Sequence, residues 1–235
     1  MKVAVLNYSG SVGKTVIASH LLEPRIAGAE VIAVESTNES AADLGLDAEQ
    51  LRGDQFGRLF RKLLTASALI VDVGASNIED FLAELAKYDD AQAEIDYFVL
   101  PVVSTGKAQR ETIKTIAALA SIGVEPHRIR VLFNMAEGSI AEDFGTILRE
   151  ADQAGGFIAN PNAVLEKNEV FELLAKRRMS IKSVVDDPND YRVLLRQSDP
   201  ADEDRIEELG DKAALQALAK RVWRQMDVAF VEVFA

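Results

Sequence analysis

A glycine-containing turn near the start of the chain constrains the fold more than any other feature of the sequence. The turn, residues 8–15, reads Tyr-Ser-Gly-Ser-Val-Gly-Lys-Thr. The apolar, β-branched run 2–6 before it favours a buried parallel strand, and the apolar residues of 15–22 after it recur at helical spacing. A strand, a glycine turn ending in Gly-Lys-Thr and a helix together form the arrangement that binds phosphate groups.

The residue types of this turn suit a nucleotide. Gly10 and Gly13 let the backbone approach phosphate oxygens, so that successive N–H groups at the helix start point at the anion. The Lys14 ammonium supplies positive charge, and the Thr15 hydroxyl can bind Mg²⁺. A chance Gly-Lys-Thr in an ordinary turn is the alternative. We expect ATP or ADP with Mg²⁺ to contact Ser9, Gly10, Ser11, Val12, Gly13, Lys14, Thr15 and Val16.

A second run of strand-forming residues ends in a carboxylate. Residues 68–74 read Ala-Leu-Ile-Val-Asp-Val-Gly, with Asp72 near the strand end and Gly74 two residues later. A carboxylate there can hold a magnesium-bound water, and the Gly74 N–H can follow the γ-phosphate. An aspartate that only caps a buried strand has the same pattern, but the upstream turn favours the magnesium role. We therefore predict Thr15 and Asp72 as metal ligands, and Lys14 and Asp72 as catalytic residues.

Strand patterns alternate with helical patterns along most of the chain. This predicts an α/β P-loop NTPase fold with a mostly parallel sheet covered by helices on both faces, plus a C-terminal helical extension. Residues 1–185 are expected to form the core, with the acidic loops and C-terminal helix of 186–235 packed on the same domain. Strands are predicted at 2–6, 30–35, 68–74, 97–103, 128–134 and 155–159. Helices are predicted at 15–22, 54–66, 77–85, 107–122, 140–153, 164–174 and 211–226, before a tail of strand-like propensity at 228–234.

Composition excludes several classes of protein. The chain has no cysteine, so it has neither a disulfide framework nor a thiolate metal site. No stretch approaches the ~20 apolar residues that span a bilayer, and the N-terminus does not resemble a signal peptide. We therefore expect a soluble cytoplasmic protein. The net charge of −12 opposes broad adhesion to nucleic acid or anionic membrane.

Three segments resemble the deviant Walker A ATPases of the ParA/MinD superfamily, and within it the StbB-type plasmid stability proteins. They are residues 7–15, 34–38 and 70–77, and the superfamily resemblance covers about residues 1–180. It implies ATP–Mg²⁺ binding, a homodimer in the ATP-bound state, and a switch that positions DNA, replicons or protein complexes. It also implies that Asn134, Asn160 and Pro161 contact the base.

The resemblance breaks at residues that matter for hydrolysis. Ser9 replaces the signature lysine, Ser11 replaces a glycine, and Thr37 stands where the family has a water-orienting aspartate. Glu35 or Glu39 is a possible substitute for that aspartate. Phosphoryl transfer depends on positioned charge and an oriented water, so the expected activity is a slow ATPase. A nucleotide-binding adaptor without turnover and a P-loop small-molecule kinase or ligase remain alternatives. The sequence does not distinguish adenine from guanine as the base of the nucleotide.

The distribution of charged residues indicates which partners to expect. We expect a separate DNA-binding partner protein and weak or absent direct DNA binding, confined to Lys176, Arg177, Arg178 and Lys182. We expect the C-terminal helix and tail to pack on the protein or a partner rather than on a membrane.

Overall fold

The computed structural model describes residues 1–34, 49–51 and 55–235. Within these residues, seven strands form one parallel sheet in the order β3-β2-β4-β1-β5-β6-β7. The strands are β1 (Lys2–Val5), β2 (Glu30–Val34), β3 (Glu49–Leu51), β4 (Leu69–Val73), β5 (Tyr97–Val102), β6 (Ile129–Ala136) and β7 (Val164–Glu166). The predicted parallel sheet is confirmed.

Helices connect the strands and cover the sheet. They are α1 (Lys14–Val16), which continues as a π-helical turn (Ile17–Leu22), α2 (Phe56–Thr65), α3 (Ile78–Lys87), α4 (Gly106–Ser121), α5 (Ile140–Asp143), α6 (Gly145–Ala154), α7 (Val170–Arg177), α8 (Ile181–Val185), α9 (Tyr191–Gln197) and α10 (Glu203–Phe234). Side-chain oxygens of Thr105, Ser180, Asp190 and Asp202 accept backbone hydrogen bonds at the starts of α4, α8, α9 and α10. These caps satisfy N–H groups that the helices leave without partners.

Two hydrophobic layers cover the two faces of the sheet. Because side chains alternate along a strand, Val3 and Val5 of β1 enter the layer formed with the π-helical turn, α7, α8 and α10. Ala4 points the other way, into the layer formed with α2, α3, α4 and α6. The predicted helical cover on both faces is therefore confirmed.

The strand order determines where a ligand can bind. β1 lies between β4 and β5, with Val5 paired to both Asp72 and Val99. The chain leaves β1 toward one edge of the sheet, and after β4 it crosses to the other side of β1. Ligands of open α/β sheets bind at the carboxyl ends of the strands where this reversal occurs. The turn after β1 therefore lies beside the end of β4.

The last strand of the sheet is not where the sequence predicts it. Residues 155–159 form only one isolated bridge, between Ile158 and Arg130. The strand is instead β7, in a segment predicted to be helical, and α7 begins only at Val170. The Asn160 side chain accepts a hydrogen bond from the Asn162 N–H, which turns the chain before pairing with β6 resumes at Val164.

Two further differences are local. The predicted helix 140–153 is divided into α5 and α6 at Phe144, whose ring is fully buried and packs 4.9 Å from that of Phe133. The sequence also did not predict β3, which pairs with β2 at the sheet edge.

The C-terminal segment is one long helix. The sequence predicts a helix at 211–226 and a strand-like tail, whereas α10 runs without interruption from Glu203 to Phe234. Ala229 and Val233 of the tail are buried, at helical spacing from Met226, in the layer that also contains β1. Packing of this apolar face overrides the β-propensity of the individual residues. None of the helices in the described residues is long and apolar enough to cross a membrane.

Arg25 joins the helix after the glycine turn to α10. Its guanidinium donates to the carbonyls of His20 and Leu21 at the end of the π-helical turn. It also donates to the Trp223 carbonyl at 3.1 Å, lies 4.2 Å from the Trp223 ring centre and forms a 2.8 Å ion pair with Asp227. One side chain therefore satisfies the end of one helix and holds it against another.

Replacing Arg25 with alanine is expected to lower the free energy of unfolding by about 2–3 kcal/mol, because several buried carbonyls lose a charged donor. Urea unfolding followed by far-ultraviolet circular dichroism measures this change. Arg221→Ala is the matched control, since Arg221 is 68% exposed and lies 3.8 Å from Glu166, and it should cost less than about 0.5 kcal/mol. Equal effects of the two substitutions would contradict the bridging role of Arg25.

Candidate nucleotide site

The predicted phosphate-binding turn and the predicted metal ligand line the same crevice. It has a volume of about 510 Å³ and opens at the carboxyl ends of β1 and β4. Its walls are Gly10, Ser11, Val12, Gly13, Lys14, Thr15, Val16, Asp72, Gly74, Ala75 and Ser76. The structure thus brings together every predicted phosphate and metal residue except Ser9, which lies buried just before the crevice.

The backbone of the turn has an unusual conformation at two positions. Ser11 has φ of 56° and Gly13 has φ of 84°. A Cβ atom on Gly13 would lie 2.4 Å from Nδ2 of Asn134, so a larger residue at position 13 is excluded by both conformation and space. Val12 between them is fully buried and fixes the turn to the core.

Polar side chains from neighbouring elements hold the start of the turn. The Asn7 amide donates to the Pro101 carbonyl at 3.0 Å and to the Thr112 hydroxyl at 2.7 Å, while its oxygen accepts from the Ser9 N–H at 2.9 Å. The Tyr8 N–H donates to the Thr115 hydroxyl at 3.1 Å. The turn is therefore preformed by β5 and α4. These supports were not predicted, although an asparagine directly before a glycine turn is a signal for them.

Lys14 is buried and lies across the turn. Its Nζ donates to the carbonyls of Ser9 at 2.9 Å and Asn7 at 3.2 Å. These neutral acceptors only partly compensate a desolvated ammonium, and a phosphate oxygen is a stronger acceptor. The position of Lys14 fits its predicted role.

Asp72 is a buried carboxylate whose two oxygens accept no hydrogen bond. Burial raises the pKa of Asp72 to about 6, while the neighbouring Thr15 hydroxyl and, to a smaller extent, the charge of Lys14 act in the opposite direction. An unpaired buried carboxylate is costly unless a cation or a donor satisfies it. Asp72 with Thr15 therefore fits Mg²⁺, which is typically held by one or two carboxylates, a hydroxyl and substrate phosphates.

The segment after β4 differs from its predicted role. The Gly74 N–H, expected to follow a γ-phosphate, donates instead to the Val34 carbonyl of β2 at 3.0 Å. This bond extends the pairing of β2 with β4 and leaves the N–H engaged. Thr37, at the expected water-orienting position, and its possible substitutes Glu35 and Glu39 lie outside the described residues.

The predicted base-contacting residues are not brought together. Asn134 reaches the site, but its amide donates to the Val12 carbonyl at 2.8 Å and so supports the turn. Asn160 donates to the backbone carbonyl and the carboxylate of Glu232 near the end of α10. Together with Pro161 it precedes β7, two residues after the bridge to the start of β6. This placement contradicts the predicted base contact, because only the residues after β7 reach the carboxyl edge of the sheet.

A second crevice, of about 710 Å³, lies at that edge beside β6 and β7. It is lined by Ala136, Glu137, Gly138, Ile140, Val164, Glu166, Lys167, Asn168 and Glu169. Lys167 and Glu137 form a 2.9 Å ion pair across it. Asn134 lies two residues before Ala136, so the crevice adjoins the turn. These residues were not predicted, because the last strand was expected at 155–159 and lies instead at Val164–Glu166.

In the absence of nucleotide and Mg²⁺, the Asp72→Asn protein is expected to be more stable than the wild type. The pKa of Asp72 is higher in the folded protein than in the unfolded chain, so folding stability is lost as pH rises from about 4 to about 6 and stays lower above it. The raised pKa corresponds to about 3 kcal/mol at pH 7. Urea unfolding in EDTA should show Asp72→Asn to be the more stable protein at pH 7, with the difference vanishing near pH 4.

The same substitution should remove the Mg²⁺ dependence of nucleotide binding, measured by calorimetry with Mg²⁺ and with EDTA. Asp89→Asn makes the identical change at an exposed position and should alter neither property. A less stable Asp72→Asn protein at pH 7 would contradict the unpaired state of this carboxylate.

Solved structures with the same fold include cell division and septum site-determining proteins. A chain of the MinC:MinD cell division protein complex of Aquifex aeolicus has 15% identity and a TM-score of 0.57, covering 85% of this chain and 98% of that one. Apo McdA of Cyanothece has 14% identity and a TM-score of 0.51, covering 90% and 98%. MinD of Pyrococcus horikoshii, complexed with Mg-ADP, has 12% identity and a TM-score of 0.50, covering 94% of each chain.

Sequence comparison adds nothing further, since no family model and no curated protein matches the chain. The similarity to the solved structures, with the parallel sheet, the helices on both faces and the glycine turn after β1, establishes an α/β P-loop fold.

Proposed function

We propose that this chain is an ATP- and Mg²⁺-dependent molecular switch of the ParA/MinD type, with slow hydrolysis, that acts in plasmid stability, positioning or conjugative transfer. The observation that carries the proposal is the unpaired buried carboxylate of Asp72 in the crevice of the glycine turn. The fold shared with McdA and with MinD bound to Mg-ADP supports it. The StbB-type resemblance in residues 7–15 and 70–77 supports the plasmid role.

The residues of the crevice have distinct roles in this proposal. The N–H groups of 10–15 and the Lys14 ammonium bind the phosphates, and Lys14 exchanges the carbonyls of Asn7 and Ser9 for phosphate oxygens. Thr15 and Asp72 hold Mg²⁺, which when bound offsets the negative charge of the phosphates. The crevice beside β6 and β7 is the place for the base.

Slow turnover follows from two residue types. Ser9 carries no charge in the place of the family's signature lysine, and its backbone carbonyl already accepts from Lys14. Thr37 has no carboxylate to orient an attacking water. The nucleotide then stays bound until a second copy of the chain or a partner protein supplies the missing charge. We propose a homodimer in the ATP-bound state and a separate DNA-binding partner.

The same observations are consistent with a nucleotide-binding adaptor that does not hydrolyse ATP. Phosphate release from ATP alone distinguishes it from a slow ATPase, because the adaptor releases none. Release or transfer that appears only with a small acceptor would identify a kinase or ligase instead.

Lys14→Ala is expected to weaken ATP binding at least about tenfold, or roughly 1.4 kcal/mol, because the charge facing the phosphates is removed while the glycine turn remains. Calorimetry in the presence of Mg²⁺ measures the affinity. Lys107→Ala, which removes a 78% exposed ammonium from α4, is the control and should bind like the wild type. Equal affinity of the Lys14→Ala protein would refute the site.

Ser9→Lys is expected to raise turnover from a wild-type rate below ~1 s⁻¹. One donor to developing charge is worth ~2.7–4 kcal/mol in an oxyanion hole, which indicates the scale of the gain. Ser9 is buried, so Ser9→Met serves as a control of similar length without charge, and circular dichroism checks that both variants fold. Steady-state phosphate release is the measurement. Fast wild-type hydrolysis would show that another residue fills the role, and equal rates for the two folded variants would refute the assignment of Ser9.

A further inference from the structure

One exposed face of α10 combines cations with apolar side chains. Its residues recur three or four positions apart and so lie in one line along the helix. We call this line the α10 stripe, and its members are Ala213, Ala217, Lys220, Arg224, Val228 and Val231. It is about 27 Å long at 1.5 Å per residue. Every member from Ala217 onward is exposed.

The valines of the stripe are not part of the protein core. Val228 is 58% exposed and Val231 is 64% exposed, the two highest exposures among the large apolar residues that the structure describes. The opposite face of the same helix, with Met226, Ala229 and Val233, is buried against the sheet. The helix therefore has an apolar surface on each side, and only one of them is covered by the chain.

The cations of the stripe meet a third cation in a cleft between α10 and the start of α9. The cleft has a volume of about 380 Å³, and Arg192, Lys220 and Arg224 line it together with Gln216. None of these three cations has an ion pair with another residue of the described chain.

The carboxylates of the same cleft are already engaged. Asp187 accepts from the Tyr191 hydroxyl and from Asn189. Asp190 caps α9 by accepting from two backbone N–H groups. On the adjoining flank of α10, Asp227 pairs with Arg25. The three cations of the cleft outnumber its two carboxylates, Asp187 and Asp190, and leave one unit of positive charge in excess, in a chain with a net charge of −12.

We propose that the α10 stripe, with Arg192, is a docking surface for an acidic, partly apolar segment of a partner protein. Carboxylates of the segment would form charge-assisted hydrogen bonds with the three cations, and apolar side chains further along would cover Val228 and Val231. The proposal does not rest on the proposed function, because the residues of the stripe do not line the crevice of the glycine turn.

The same observations favour a protein over a membrane or DNA. A helix that lies on a membrane inserts a wide apolar face, whereas the wide apolar face of α10 is buried in the protein. DNA binding depends on many phosphate contacts, and here three cations are followed by two valines. Two cations of the patch predicted for DNA, Arg177 and Lys182, are paired with Asp211 and Asp186.

A synthetic helical peptide tests the surface on the full chain. The probe has about 18 residues to match the length of the stripe, with glutamates in one half and leucines in the other, and is also made with its sequence reversed. A third peptide has glutamine in place of glutamate. Methyl spectra of the protein labelled at valine report binding, and we expect Val228 and Val231 to shift with one glutamate peptide while buried Val131 does not.

Charge reversal identifies the cations. The triple variant Arg192→Glu, Lys220→Glu, Arg224→Glu should bind the peptide at least about tenfold more weakly. Each exposed ion pair alone changes the affinity by less than about tenfold, but three pairs are lost together and the reversed charges repel the peptide. The matched control reverses Lys107, Arg110 and Lys114, three exposed cations along α4 that are not followed by large exposed apolar residues in the part of the chain that the structure describes. Its affinity should stay within about twofold of the wild type.

The double variant Val228→Ser, Val231→Ser tests the valines. It should weaken peptide binding, although it does not change the charge of the stripe. Equal loss in the α4 control would show that charge alone is responsible and would overturn the proposal. So would the absence of valine shifts with either glutamate peptide, or equal binding of the glutamine peptide. Binding to phosphatidylglycerol vesicles or duplex DNA that the triple variant abolishes, without peptide binding, would assign the surface to a different partner.

Discussion

The unpaired carboxylate of Asp72 is the constraint on which the site depends. The carboxyl group is buried near the end of β4 and accepts no hydrogen bond, and its burial raises its pKa. Pairing of Asp72 with Val5 brings it beside the turn that carries Lys14 and Thr15. The structure therefore retains a costly group where magnesium and phosphate would satisfy it, and the two hydrophobic layers provide the stability that offsets this cost.

The turn is held in shape before any ligand binds. Asn7 joins the start of the turn to β5 and α4, and Asn134 joins its middle to β6. The asparagine amides satisfy backbone groups that a loop would otherwise expose or leave unpaired in the core. Preformed N–H groups reduce the ordering cost of binding an anion. Binding strength at this site is therefore set partly by residues that never touch the nucleotide.

Much of the fold and of the phosphate site was predictable, because both rest on local patterns. The buried run before Asp72 and the glycines around Lys14 are visible over a few residues. The errors arose where tertiary packing decides the structure. Residues 164–166 are a strand because β6 offers them an edge, and the tail after Met226 is helical because its apolar spacing fits the sheet. The supports from Thr112 and Thr115 depend on contacts more than 100 residues apart in sequence, which no local pattern reveals.

Arg25 makes the position of α10 depend on the helix of the glycine turn. Each hydrogen bond of the π-helical turn spans one residue more than in an α-helix, as the bond from the Glu23 N–H to the Ala18 carbonyl shows. The His20 and Leu21 carbonyls of this turn accept from the Arg25 guanidinium, which also contacts Trp223 and Asp227. If that helix shifts when nucleotide binds, either α10 moves with it or these contacts break. Arg25 thus adds a polar connection to the apolar packing that holds α10 against the helix of the glycine turn.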